Sequence, residues 1–221
     1  EGDEAQVSYN QNRAIELGLF LTVPAAVAFM VVPYQLIHVL FERNAFTGED
    51  SWQTAYALMA YAAGLPAYVL AKIFSPGYFA RKDTKTPVKF AIVALVVNMT
   101  LNLILMQFFA HVGLAMATAI SAWLNVAMLS GGLVRRGHFH FDRLVLRRLG
   151  KYILASMVMG ATVWGLTIPV SEMLDQSFVM KISGLMVLIL GGIGSYMAMA
   201  YFTGAVKIQE LRALLKRKKP A

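Results

Sequence analysis

The sequence predicts an all-α, polytopic membrane protein, and three observations carry that prediction. Of 221 residues, 58% are hydrophobic and only 14% charged, with a mean hydropathy of +0.59. Soluble domains run about 45–50% apolar and about 25% charged. The apolar residues gather into six runs near the ~20 residues a helix needs to cross hydrocarbon. The basic residues sit almost entirely in alternate connections between those runs. None of the runs alternates apolar with polar residues, which excludes barrel strands, and lipid admits only helices or closed barrels.

The first run, 17–40, contains Pro24 and Pro33; each removes a backbone hydrogen bond and permits a kink. The second, 52–73, holds Gly64-Leu65-Pro66 and a single charge, Lys72. Pro24, Pro33, Gly64 and Pro66 are therefore hinge candidates, bending points in a transporter and merely tolerated in an anchor. At mid-membrane Lys72 would cost roughly 2.5–3.5 kcal/mol, but it lies in the last turns of its run. From there it either snorkels to the headgroups or faces an interior cavity and attracts an anionic headgroup.

The third and fourth runs, 90–110 and 112–134, are joined by almost nothing. Asn98 and Asn102 are four apart and share one helix face. The fourth run has Gly113, Ala117, Ser121 and Asn125 at the same spacing, with Thr118 beside them. That stripe is a close-packing seam, or Asn98, Asn102 and Thr118 are oxygen donors of a hydrated pocket. No carboxylate stands among them, so a cation site built from these residues alone would be weak. The fifth and sixth runs are 152–170 and 182–206; the sixth carries Gly184, Gly191, Gly192, Gly194 and Gly204, which permit close helix approach on one face.

Of the twenty Lys and Arg, Arg43 and Lys181 follow the first and fifth runs and Lys72 lies within the second. The other seventeen precede the first run or follow the second, fourth and sixth. By the positive-inside rule both ends of the chain are cytoplasmic, and Glu42, Glu49, Asp50, Glu172 and Asp175 lie on the opposite side. The organisation expected is a polar stub (1–13), four helices within 14–134, a basic connection (135–151), a helix pair (152–206) and a basic tail (207–221). The tail is basic enough to lie against anionic headgroups, but it is also an ordinary cytoplasmic terminus.

This composition excludes several functions. The net charge of +8 is accounted for by topology, and without interleaved aromatics it gives no nucleic-acid footprint. The absence of cysteine excludes disulfides, a thiol nucleophile and a cysteine metal site. His38, His111, His138 and His140 are scattered, and no catalytic or metal-ligand spacing gathers around them. The chain is expected to be neither an enzyme nor a metalloprotein, and no cofactor is expected.

Three blocks sharpen the reading: Leu40-Phe41-Glu42-Arg43-Asn44-Ala45-Phe46-Thr47, then the 72–88 stretch with Phe79-Ala80-Arg81-Lys82-Asp83-Thr84-Lys85-Thr86-Pro87, then the 113–125 stripe. In this order and spacing the chain resembles the MurJ/MviN family of lipid II flippases, within the multidrug/oligosaccharidyl-lipid/polysaccharide exporter superfamily. The resemblance implies that the six spans correspond to helices 9–14 of a fourteen-helix inner-membrane flippase. The chain is then a C-terminal portion, its partners being lipid II, membrane lipids and the N-terminal remainder of the same protein. The main headgroup-binding residues are expected in that remainder. The resemblance further implies a cytoplasmic gate in which Arg81, Lys82 and Lys85 take part, with Asp83 as helix cap or ion-pair partner. It also implies a lipid-facing groove beside the final helix pair, and Na+ or proton coupling at the Asn98, Asn102 and Thr118 cluster, on which the missing carboxylate tells. The rivals are another exporter of the superfamily, an O-antigen or capsule-unit flippase or a drug/cation antiporter, and a non-transporting membrane scaffold.

Overall fold

The computed structural model describes residues 2–140, 142–174 and 176–205. The tail 207–221, with Lys207, Arg212, Lys216, Arg217, Lys218 and Lys219, and Asp175 lie outside the described residues. Among the described residues six helices follow in chain order: α1 (Gly2–Val31), α2 (Pro33–Phe41), α3 (Gly48–Phe79), α4 (Lys85–Arg135), α5 (Arg143–Leu174) and α6 (Phe178–Phe202). All but α2 are long and apolar enough to cross a membrane. The six runs of the sequence map onto α1 with α2, α3, the two halves of α4, α5 and α6.

The first run is divided. Pro33 cannot donate to the helical ladder, and Val32 takes φ −124° and ψ 43°, so α1 stops and α2 restarts with the proline at its first turn. Helix α3 begins on a capping box: Thr47 accepts from the Asp50 amide while the Asp50 carboxylate accepts from the Thr47 amide at 2.8 Å. Helix α4 folds back on itself at Ala110, whose φ of 46° and ψ of −130° are not helical. Its two arms, 85–109 and 111–135, are antiparallel. Lys181 belongs to the first turn of α6 rather than to a loop, because α6 starts at Phe178.

Helix α1 is the centre of the arrangement. It packs on α3 to one side and α5 to the other; α4 covers the far side of α3, and α6 that of α5. Helix α2 leans on α3 and α6. Ile15, Leu19 and Phe20 of α1 meet Phe74 and Tyr78 of α3, Leu129 and Leu133 of α4, Tyr152 of α5 and Tyr196 of α6 in one apolar cluster. Phe20 sits between two rings, 5.5 Å from Tyr152 edge-on and 5.3 Å from Tyr196. The outer faces expose large apolar side chains, among them Leu95, Val96, Met99 and Leu103 on α4 and Val179, Leu190 and Ile193 on α6. Such a surface is stable only against hydrocarbon or more protein.

Alternate connections reach opposite ends of this bundle. One end brings together the first turns of α1, residues 80–84, and residues 136–140 with Asp142. The other holds residues 42–47, the Ala110 fold and the α5–α6 connection. Arg13, Arg81, Lys82, Lys85, Arg136 and Arg148 are therefore all at one end. Among the described residues, the charge segregation in the sequence is thus a segregation in space.

Candidate functional site

The loop that carries the family-like motif is held against the second arm of α4. Arg136 donates to Asp83 Oδ2 at 2.6 Å, and Asp83 also accepts from the Thr86 hydroxyl at 2.6 Å and the Thr86 amide at 3.0 Å. Asp83 thus serves the start of α4 and an ion pair together. The Thr86 hydrogen bonds and the Arg136 guanidinium hold its carboxyl well below the usual carboxylate range. This depressed value means that the contribution of the clasp is complete above the ordinary Asp range and is lost only as pH falls through the lower folded value. The Arg136 guanidinium also lies 5.7 Å from the centre of the Tyr78 ring, whose hydroxyl donates to the Leu129 carbonyl at 2.7 Å.

The three basic candidates of this loop differ in role. Arg81 is half-buried and donates to the Gly77 carbonyl at 2.8 Å and the His138 carbonyl at 3.4 Å, so it ties the loop to the 136–142 connection. Lys82, at φ 58°, and Lys85, at the first turn of α4, are exposed. Lys72 is exposed as well, seven residues before the end of α3, or about 10 Å along the helix. It lines a cavity of about 410 Å³ between α1 and α3, with Asn10, Gln11, Pro76 and Ala80 among its neighbours.

Asn98, Asn102 and Thr118 do meet, across the two arms of α4. Asn98 Nδ2 donates to Thr118 Oγ1 at 3.4 Å and to Ser121 Oγ at 3.2 Å, and Asn102 Nδ2 donates to Asn98 Oδ1 at 3.1 Å. Thr118 and Ser121 in turn donate to the Leu114 and Thr118 carbonyls. In this arrangement Asn98 turns its N–H toward the hydroxyls and its oxygen toward the Asn102 N–H. Asn102 Oδ1 is a buried oxygen without a hydrogen-bond donor. The cluster holds the hairpin together in the way interhelical polar groups do in lipid.

The hinge candidates separate into different roles. Pro33 coincides with the break between α1 and α2, whereas Pro24 and Pro66 lie inside uninterrupted α1 and α3. A Cβ on Gly64 would meet Ala119 Cα of α4 at 3.1 Å, so this glycine permits close helix approach. The glycines of the sixth run divide likewise. Gly184, Gly191 and Gly192 face Val170, Leu166 and Val163 of α5, while Gly194 faces open space. Gly204, at φ 63°, caps α6, the Ala205 amide donating to the Ala200 carbonyl.

Two polar groups were not singled out by the sequence. Glu16, 6% exposed, accepts from Arg148 of α5, from Arg13 at 2.9 Å and from the Tyr152 hydroxyl at 3.3 Å. Asn12, one turn earlier, donates to the His140 carbonyl at 3.0 Å. Spacing gave a signal: Asn12 and Glu16 stand four apart at the border of an apolar run, one face of a helix. At the opposite end His38 is not isolated, as its scatter in the sequence suggested. It bonds Glu42 through Nδ1 at 2.8 Å and lies 3.1 Å from Lys181 Nζ through Nε2.

Between these two polar groups runs an apolar cavity of about 410 Å³, walled by α1, α2, α5 and α6. Leu36 and Val32 stand at one end, Phe20 and Tyr196 at the other, and Pro24, Met159 and Gly192 between. The Tyr196 hydroxyl is turned away to the Phe20 carbonyl at 2.8 Å, which leaves the walls without an open polar group from that residue. Such a cavity fits a hydrocarbon chain.

The family model described as lipid II flippase MurJ matches residues 1–199. A probable lipid II flippase MurJ of Rhizobium tropici is 38% identical over 96% of the chain and 40% of its own length. That of Vibrio cholerae is 37% identical over 93% of the chain and 39% of its own length. A solved structure of lipid II flippase MurJ in an inward closed conformation is similar with a TM-score of 0.74 and 28% identity, covering 91% of the chain and 40% of that structure. The chain thus spans about 40% of the length of these relatives. With a family model matching nine-tenths of it and a shared multi-helix membrane fold, the chain belongs to the MurJ family of lipid II flippases.

Proposed function

We propose that this chain is the C-terminal part, helices 9–14, of a flippase that moves lipid II from the cytoplasmic to the periplasmic leaflet of a bacterial inner membrane. The observation that carries the reading is the apolar cavity beside α5 and α6 in a chain of this family. Lipid II joins a charged, sugar-bearing headgroup to an undecaprenyl chain. The headgroup cannot enter hydrocarbon unaided, whereas the chain can remain in an apolar groove throughout. Alternating access supplies the polar path: two lobes rock about a central cavity open to one side at a time. In this reading the basic end of the bundle is cytoplasmic, the missing remainder contributes the other lobe, and Lys72 with the exposed Lys82 and Lys85 offers positive charge to an anionic headgroup at the entrance. The function is transport without chemical conversion, and no coupling ion is invoked.

The test is depletion of the full-length protein in its own cells, with lipid II in the outer leaflet measured by a membrane-impermeant probe. Outer-leaflet lipid II is expected to vanish while the total accumulates; normal flipping in cells without a second homologue would refute the assignment. In the same cells Arg81→Ala together with Lys85→Ala is expected to impair complementation at unchanged membrane abundance. Full growth would leave the loop as a topology signal alone.

A further inference from the structure

The end of the bundle opposite the basic loops carries a second polar group, built from four helices. Glu42 Oε2, at the end of α2, accepts from His38 Nδ1 at 2.8 Å and from the Ser51 hydroxyl of α3 at 2.7 Å. Burial opposes ionisation of Glu42, but the Ser51 and His38 hydrogen bonds, the charge of a protonated His38 and the Lys181 charge outweigh it and lower its pKa. An ionised Glu42 accepts only, which puts the proton of a neutral His38 on Nδ1. His38 Nε2 then presents a lone pair. Two groups lie at 3.1 Å from it: the Lys181 ammonium of α6, which donates to that lone pair, and the Leu174 carbonyl at the end of α5.

The two neighbours of Nε2 suit opposite protonation states. With Nε2 bare, Lys181 is held and the Leu174 carbonyl is left over. With Nε2 protonated, the N–H donates to Leu174, a carbonyl at a helix C-terminus that favours a cation, and a second positive charge stands against Lys181. His38 is 6% exposed, and little water is available to screen that repulsion. Among the described residues, the titratable and charged groups facing it are Glu42 and Tyr34 of its own helix and Lys181 of α6; Tyr34 stacks on its ring at 5.5 Å.

We propose that His38 and Lys181 form a proton-sensitive latch that sets how closely α6 sits against α2. Taking up a proton at His38 Nε2 releases Lys181 and transfers the imidazole to the Leu174 carbonyl. The α2–α6 contact is one of the walls of the apolar cavity, through Leu36 on α2 and Leu188 on α6. The latch therefore controls the width of that cavity at this end.

The test uses the full-length protein in lipid nanodiscs, cleared of other cysteines, with spin labels at Leu40→Cys and Val179→Cys, both exposed positions on α2 and α6. Electron–electron dipolar spectroscopy reads the distance. A narrow distribution is expected at pH 8 and a longer, broader one at pH 5.5. The ratio of the two should change by up to about tenfold per pH unit for a single proton. His38→Gln is expected to abolish the pH response. So is Lys181→Met, which keeps the imidazole but has no cation to expel. A wild-type distribution that ignores pH overturns the latch, and so does a response that survives either substitution. The distance is read without lipid II, so this outcome is separate from the flippase reading.

Discussion

Arg148→Ala is expected to destabilise the helix bundle by about 3 kcal/mol, the lower end of the range for breaking a buried ion pair from one side. The reason lies in what remains. Glu16 is 6% exposed in the middle helix, and Arg148 reaches it from α5. Without the guanidinium, the carboxylate keeps, among the described residues, Arg13, itself one-third exposed, and the Tyr152 hydroxyl at 3.3 Å. Replacing both partners by methionine should recover most of the loss, because two apolar side chains of similar reach leave no unpaired charge. The measurement is thermal unfolding of the full-length protein in detergent, with both single variants and the double in one cycle. Equal losses in the single and double variants would mean that the pair itself contributes, rather than the penalty of orphaning one member. The expected loss falls on the seam between α1 and α5, which Glu16 ties together at one end, while at the other end His38 of α2 meets Leu174 of α5 and Lys181 of α6.

That pair also marks where the sequence could and could not be read. Spans, their number and their alternation were legible because bilayer thickness imposes a length and topology imposes a charge pattern, and both are properties of composition along the chain. Pro33 was legible as a possible kink, because its missing N–H acts locally, but not as the break that divides the first run into α1 and α2. Pro24 and Pro66 were not separable from it, since whether a proline interrupts a helix depends on what packs around it. Glu16 was passed over because it stands one residue before the apolar run, where a charge looks like a loop charge; its burial is created by α5, 132 residues away in sequence. His38 and Lys181 are 143 apart, and a scatter of histidines in sequence says nothing about which carboxylate or amine a fold delivers to each. The asparagines were placed on one face by their spacing, but the direction of their amide groups is set by Thr118 and Ser121 on the returning arm.

The largest effect in the α4 hairpin is expected at Gly113. A Cβ there would stand 2.4 Å from the Leu105 carbonyl oxygen and 2.9 Å from the Met106 nitrogen. Both are backbone atoms of the opposing arm, and neither can rotate away. Gly113→Ala must therefore push the arms apart, and Gly113→Val further. Overpacking of this kind costs about 1–3 kcal/mol or more, and separation also stretches the Asn98 bonds to Thr118 and Ser121, already 3.4 and 3.2 Å long. We expect Gly113→Val to lower the unfolding temperature sharply and to abolish complementation, with Gly113→Ala intermediate. Gly194→Ala, which adds its methyl to open space in α6, is the control and should be neutral or stabilising by up to about 1 kcal/mol, since alanine is the better helix former. The neighbouring Ala110 makes the opposite case. Its φ of 46° disfavours any side chain, and Ala110→Gly should stabilise the fold-back by about 1 kcal/mol. A hairpin this tight requires glycine where the arms touch and tolerates alanine where they turn, so exchanging the two residues, Ala110→Gly with Gly113→Ala, should not restore wild-type stability. The clash at 113 is with backbone, and relief of the turn three residues earlier does not move Leu105.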